Sequence, residues 1–161
     1  MPTTPADVAD VLDKLGTVLE LEHESPFRVR AYRNAADTIR MLEPPLAEML
    51  AEGRDLTELQ DVGAGIAKKI AEICALGHER FLERLELDVG PGLFRLMSLP
   101  GLGPKKVRVL RAELAVTSIE GLEAAIGDGR VAGLAGFGEK TIAGLLARIA
   151  RLKEREAQAD E

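Results

Sequence analysis

Aromatic residues are scarce in this sequence. They make up 3% of its 161 residues, with no tryptophan and a single tyrosine. Modules that read unpaired bases by stacking them on aromatic side chains are therefore disfavoured. The hydrophobic residues, 46% of the chain, are mainly Leu, Ile, Val and Ala, which suits a core of packed helices.

Cysteine and histidine are also rare. The single cysteine, Cys74, excludes an intramolecular disulfide, a thiolate zinc site and an iron–sulfur cluster, and it is typical of a reducing compartment. His23 and His78 do not have the spacing of metal ligands. The chain has no basic start followed by an apolar stretch and no apolar run of membrane-spanning length. We therefore expect a cytoplasmic protein with no membrane partner.

A net positive charge is absent as well, because the formal charge is −6. A basic surplus is the strongest general sign of a nucleic-acid binder, so the total charge argues against that class. The distribution is uneven, however, since residues 26–112 contain 14 Lys and Arg against 12 Asp and Glu. Basic residues cluster at 28–40 and 105–111. We expect basic ridges on an acidic protein.

Helix signals dominate the pattern, and alternating strand patterns of useful length are absent. Gly77, which follows Leu76, is predicted to be a C-terminal cap. Helix starts are predicted from caps and capping boxes at Thr4-Pro5, Ser25-Pro26, Pro44-Pro45, Asp55 with Glu58, and Thr117 with Glu120. The sequence predicts an all-α fold of short helices in two small bundles, 1–88 and 89–161, the second ending in a polar tail.

One sequence motif occurs three times without gaps, at residues 59–70, 99–110 and 134–145. Each copy has an apolar residue, a turn of the form Gly-apolar-Gly and then a helix, with Asp61 in place of the first glycine of the first copy. A glycine at the first position can adopt the positive φ that reverses the chain. The apolar middle residue is expected to fill the space between the two helices. The pattern predicts tandem helix-hairpin-helix motifs, one in the first bundle and two in the second.

The second glycine of each turn is predicted to lie at a phosphate site. It leaves the first N–H groups of the next helix uncovered, where an anion is stabilised. Such contacts reach phosphates and not bases, so we expect binding without sequence preference and with strong salt dependence. The candidate DNA-binding residues of the hairpins are Gly101, Leu102, Gly103, Lys105, Lys106, Arg108, Gly63, Gly65, Lys68, Gly136, Gly138 and Lys140.

The three copies are not equally suited to an anion, and the second is the strongest. In the first copy Asp61 would repel a phosphate, and Gly65 stands where the other two have a lysine. In the third copy Glu139 lies beside the hairpin, so this copy is expected to be mainly architectural. The alternative is that all three turns merely cap helices.

Residues 27–39 (Phe-Arg-Val-Arg-Ala-Tyr-Arg-Asn-Ala-Ala-Asp-Thr-Ile), followed by the first hairpin, resemble the N-terminal lyase-type domain of family X DNA polymerases. Residues 99–107 and 136–141 resemble the next segment of the bacterial and archaeal members, and the resemblance spans about 8–152. In that family the two hairpins bind the backbone on the 5′-phosphate side and on the primer side of a gap. The resemblance implies no required cofactor, a Na⁺ or K⁺ ion at the carbonyls of Leu99 and Gly101, and further DNA contacts by Arg28, Arg30, Tyr32 and Arg33.

These implied DNA contacts have plainer alternatives. A tyrosine at position 32 is also typical of a residue that covers the core through its ring. Exposed arginines such as Arg28, Arg30 and Arg33 are also commonly solvated surface charges.

The same resemblance bears on catalysis. The polymerase palm and the His-rich phosphoesterase domain have no counterpart here, and no Asp-x-Asp pair is present to hold two Mg²⁺ ions. We expect neither polymerase nor nuclease activity. In the eukaryotic members a lysine after the first hairpin attacks an abasic sugar, and the matching residue is Lys69. Such a lysine must be neutral, whereas Glu72 would hold its proton, and the additional lysine of such sites is replaced by Ala64-Gly65.

The preferred interpretation is a non-catalytic protein that binds gapped, nicked or otherwise bent double-stranded DNA in repair, with repair proteins as further partners. The enzymatic alternative is a deoxyribose-phosphate or abasic-site lyase that uses Lys69. A second alternative is a protein–protein interaction module, which is motivated by the acidic ends of the chain and by Asp61 and Glu139.

Overall fold

The computed structural model describes residues 3–22, 24–42 and 46–160, which form nine α-helices, two single-turn 3₁₀ helices and no strand. The all-α prediction is confirmed. The α-helices are α1 (Pro5–Leu21), α2 (Pro26–Arg40), α3 (Leu46–Ala51), α4 (Ala64–Leu76), α5 (His78–Val89), α6 (Pro91–Met97), α7 (Pro104–Leu114), α8 (Ile119–Gly127) and α9 (Glu139–Ala159). The 3₁₀ helices are Leu56–Glu58 and Val131–Gly133. Along the described ranges, no helix has both the length and the apolarity that crossing a membrane requires.

The chain divides into two units, Met1–Asp88 and Val89–Glu161. The first helices of the first unit begin at the caps that the sequence predicts. The Thr4 hydroxyl accepts the Asp7 N–H at 3.1 Å, and the Asp7 carboxylate accepts the Thr4 N–H at 2.9 Å. These two bonds form a capping box, and they lower the pKa of Asp7. The Ser25 hydroxyl likewise accepts the Phe27 N–H at the start of α2.

Two other predicted helix starts differ in the structure. Asp55 caps a 3₁₀ turn and not an α-helix, because the chain enters the first hairpin directly afterwards. The cap of α8 is Ser118, one residue later than the predicted Thr117, and its hydroxyl accepts a backbone N–H in the first turn of the helix. Pro44-Pro45 and His23 lie outside the described residues.

The core of the first unit forms where α1 packs on α2, and α4 packs against α1. Ala35 and Ala36 are completely buried, and their small side chains allow the first two helices to approach closely. The apolar face of α4 joins them with Ile66, Ile70 and Ile73. The buried residues of this core are Val8, Ala9, Val11, Leu12, Tyr32, Ala35, Ala36, Ile39, Leu46, Met49, Leu56, Val62, Ile66, Ile70 and Ile73.

The second unit buries apolar side chains from α6 to α9, and an arginine joins three of these helices at its surface. Arg95 of α6 donates to Glu156 of α9 at 2.6 Å and to Glu120 of α8 at 2.9 Å. The bonds to Glu156 and Glu120 raise the pKa of Arg95. The buried residues include Leu96, Leu99, Leu102, Val107, Leu110, Val116, Ile119, Leu122, Ala125, Val131, Phe137, Leu145 and Ile149.

Candidate nucleic-acid interface

The three hairpin turns share one backbone conformation. The first turn residue has a positive φ in every copy: +63° at Asp61, +84° at Gly101 and +88° at Gly136. In each turn the amide of the apolar middle residue donates to the carbonyl three residues earlier at 3.2 Å. Aspartate is among the few non-glycine residues that tolerate this region. The substitution in the first copy therefore leaves the path of the turn unchanged.

The apolar middle residue of each turn is buried, as the repeat predicts. Val62 is 5% exposed, and Leu102 and Phe137 are each 3% exposed. Each side chain fills space beneath its own turn, which fixes the turn on the core. Leu102 is a predicted DNA contact, but its side chain is part of the core and is not available at the surface.

The second glycine of each turn is the N-cap of the hairpin helix, and no side chain caps α4, α7 or α9. Gly63, Gly103 and Gly138 are exposed, and a Cβ added to any of them would meet no atom within 4 Å. In α7 the Val107 N–H donates to the Gly103 carbonyl at 3.0 Å. The amides ahead of that bond have no partner inside the helix, so they are open to an anion from solvent.

Lysines lie in the first one to two turns of these helices. Lys105, Lys140 and Lys68 are exposed and Lys106 is half-buried, and within the described ranges none of the four forms an ion pair. Arg108 is half-buried one turn into α7. Gly65, at the position where the other copies carry a lysine, is exposed with open space around it. The second hairpin therefore has the largest local positive charge.

Carboxylates accompany the other two hairpins. Asp61 is exposed and lines a groove of about 480 Å³ with Asp37 and Gln60. Glu139, the first residue of α9, is also exposed. The segment 101–108 of the second hairpin contains no acidic residue. Of the three turns, the second is thus the best suited to an anion.

Arg148 of α9 lies at the second hairpin, although nothing in the repeat indicates it. A methyl group placed on Gly101 would lie 2.9 Å from its Cζ atom and closer still to Nη1. The guanidinium therefore packs directly on the turn. Its positive charge disfavours Na⁺ or K⁺ at the carbonyls of Leu99 and Gly101. The turn thus fits a monovalent cation poorly.

Two arginines of α2 form bonds to α1, although their side chains remain 36% and 37% exposed. Arg33 donates to the Asp13 carbonyl at 2.7 Å and to Thr17 Oγ1 at 2.9 Å. Arg40 donates to Asp10 at 2.8 Å and to Asp13 at 2.6 Å, and these bonds raise its pKa. The basic ridge is smaller than the sequence predicts, because folding brings acidic residues of α1 against it. Arg33 serves to join two helices.

The remaining predicted residues of α2 are divided between surface and core. Arg28 is exposed and forms an ion pair with Glu24 at 3.5 Å. The guanidinium of Arg30 lies 5.0 Å from the ring centroid of Phe27, an exposed aromatic residue. Tyr32 is only 7% exposed and belongs to the core. Its position corresponds to the core-covering alternative and not to a DNA contact.

Lys69 lies at the rim of a groove of about 470 Å³, which Phe81 and Arg84 also line. Its Nζ atom is 3.6 Å from Glu72 and 6.0 Å from the ring centroid of Phe81. The side chain is 41% exposed. The amine that a lyase would use as its nucleophile is thus within ion-pair distance of a carboxylate and partly open to solvent.

Two families match this chain. Residues 4–79 match the family described as "Helix-hairpin-helix domain", and residues 94–151 match the family described as "SAM-like Helix-hairpin-helix tandem". Each of these two regions of the chain thus matches a helix-hairpin-helix family. Both matches include hairpin turns described above.

The chain is also similar to the DNA polymerase/3'-5' exonuclease PolX of Bacillus subtilis (strain 168). The two are 37% identical over 135 residues, which cover 84% of this chain and 23% of that protein. The matched part is the N-terminal region of the relative. The predicted resemblance to the N-terminal helix-hairpin-helix region of family X polymerases is confirmed, and this chain spans less than a quarter of the relative's length.

Proposed function

We propose that this protein binds the phosphate backbone of double-stranded DNA through its hairpin turns, without sequence preference. One observation carries the proposal: α7 begins uncapped and exposed at Gly103, and Lys105 and Lys106 beside it have no ion-pair partner in the described part of the chain. A phosphate there would accept hydrogen bonds from backbone N–H groups and would lie beside two positively charged side chains. The similarity to a protein named as a DNA polymerase supports DNA as the polyanion.

The net charge of −6 does not oppose this proposal, because the hairpin charges act locally. Charges more than about 10 Å apart are screened at 0.1 M salt. A phosphate at the second hairpin is therefore influenced mainly by residues 101–108, which include three basic residues and no acid. Long-range attraction to DNA should be weak, and affinity should depend on close contacts.

We further propose a preference for gapped or nicked duplex and a role in repair in the cytoplasm, beside repair proteins. Each of the two units carries a hairpin with an open helix start. Two such units can hold backbone on both sides of a discontinuity. Interrupted duplex bends at a lower energy than intact duplex, so binding at two sites should favour it.

A salt titration of DNA binding tests the proposal. Fluorescence anisotropy would compare gapped, nicked and intact duplexes of one sequence, together with a gapped duplex of scrambled sequence. We expect log K to fall with log salt by about 0.9 for each phosphate neutralised. We also expect equal affinity for the two gapped sequences and weaker binding to intact duplex. An absence of binding at low salt would reject DNA binding and favour the protein–protein alternative.

A lyase is a second candidate function, since Lys69 lines a groove in the first unit. The amine would attack C1′ of an abasic sugar and release water to form an imine, which borohydride reduces to a stable amine. Lys69 is already engaged in an ion pair with Glu72, so we expect no covalent adduct when the protein and abasic DNA are treated with borohydride. An adduct that is lost in Lys69→Ala and kept in Lys68→Ala would establish the lyase instead.

A further inference from the structure

We infer that Arg148 is a phosphate-binding residue of the second hairpin, although it belongs to the helix of the third. This role rests on the proposed DNA binding and adds a residue outside the repeat. Its guanidinium lies against Gly101, in the turn that precedes the open start of α7. A phosphate approaching that start would meet Arg148 from a second direction.

Two glycines provide the space that this arrangement needs. At Gly101, any side chain would collide with the guanidinium. At Gly144, one turn before Arg148 in α9, an added Cβ would lie 3.4 Å from Nη1. Helical side chains lean toward the N-terminus of their helix, so Arg148 runs back across Gly144 toward the turn. Two features thus favour glycine at position 101: the positive φ of the turn and the guanidinium that packs against it.

The charge of Arg148 is available for a ligand. Within the described ranges it forms no ion pair, although it is half-buried. Arg95 and Arg130 of the same unit, in contrast, pair with carboxylates. A guanidinium can bind a phosphate through two parallel N–H bonds, and such a bond would compensate for its partial loss of water.

The arrangement gives the third hairpin a role in DNA binding that its own turn does not suggest. The turn at Gly136 is followed by Glu139, which opposes an anion there. Its helix α9, however, carries Arg148 to the second hairpin, and the bonds of Arg95 to Glu156 hold α6 and α9 together. The third motif would contribute to DNA binding mainly because its helix positions Arg148 at the second hairpin.

Arg148→Ala tests the inference on the full chain with gapped duplex. We expect the slope of log K against log salt to fall by about 0.9, the contribution of one phosphate contact. The affinity at 0.1 M salt should fall about 8-fold. The matched control is Arg155→Ala, the same change about 10 Å further along α9, which should leave both values unchanged. Arg148→Lys keeps the charge but loses the paired N–H geometry, so its affinity should be intermediate. The urea midpoint should remain that of the wild type in all three.

A double-mutant cycle with Gly101→Ala gives an independent test. The added methyl must displace the guanidinium, so Gly101→Ala should lower the salt slope by itself. Arg148→Ala in the Gly101→Ala background should then cause little further loss, because the two changes remove the same contact. Fully additive losses would overturn the inference.

The outcomes separate this inference from the proposed function. Wild type that fails to bind gapped duplex would reject the proposed function. Wild type that binds, together with Arg148→Ala that keeps the wild-type slope, would reject only the role of Arg148. A lower urea midpoint without a change in slope would show that Arg148 merely supports the turn, which also rejects the role.

Discussion

Replacing Lys105 and Lys106 with alanine is expected to weaken binding to gapped duplex about 60-fold at 0.1 M salt, because each lost phosphate contact contributes about 0.9 to the salt slope. The two side chains begin α7 beside the uncapped Gly103, and neither has an ion-pair partner among the described residues. Fluorescence anisotropy across a salt series measures the affinity and the slope of log K against log salt. The slope should fall by about 1.8.

The control for this double variant is Arg151→Ala with Arg155→Ala on α9. Both double variants change the formal charge from −6 to −8, so they differ only in where the charge is lost. The control should keep the wild-type slope. Equal losses in the two variants would show that overall charge and not the hairpin governs binding, and the second hairpin would no longer be the principal site.

Replacing Phe137 with alanine is expected to destabilise the second unit by about 3–5 kcal/mol. The ring is 3% exposed and fills the space beneath the third turn, so its removal leaves a cavity that the surrounding helices can only partly close. Total stabilities of about 5–15 kcal/mol are usual for a domain, and the loss is therefore a large fraction of the whole. Urea unfolding of the full chain, followed by far-UV circular dichroism, measures the change.

Leu146→Ala is the matched control for Phe137→Ala. Leu146 lies on α9 in the same unit and is 42% exposed, so its truncation should cost within about 0.5 kcal/mol. If Phe137→Ala lowers the free energy of unfolding no more than this control does, the apolar turn residue does not hold the turn on the core. Val62 and Leu102 would then not be expected to stabilise their turns either.

Local features of the fold could be read from the sequence because their physics is local. Thr4 and Ser25 cap the helices predicted for them, since a cap depends on residues within one turn. The three turns also adopt the conformation that their motif predicts, even where Asp61 replaces glycine. The error at Asp55 has the same origin, because the capping pattern does not specify how long the following helix continues.

The surface charge could not be predicted in the same way. The sequence placed Arg33 and Arg40 in a basic ridge because only residues near them in the chain were counted. Folding sets Asp10 and Asp13 of α1 against them. Tyr32 is a similar case, because a tyrosine in an amphipathic helix suits the core and the surface equally well.

The sequence by itself determined the helical class, the three hairpins and the residues that start the hairpin helices, since each depends on spacings of a few residues. Only the tertiary structure decided which charges remain available at those starts. Helix packing pairs Arg33 and Arg40 with carboxylates of α1. It also brings Arg148 against Gly101, which lies 47 positions earlier in the chain. The reason is that a backbone turn forms from its own neighbours, whereas an electrostatic site is the sum of charges brought together by helix packing.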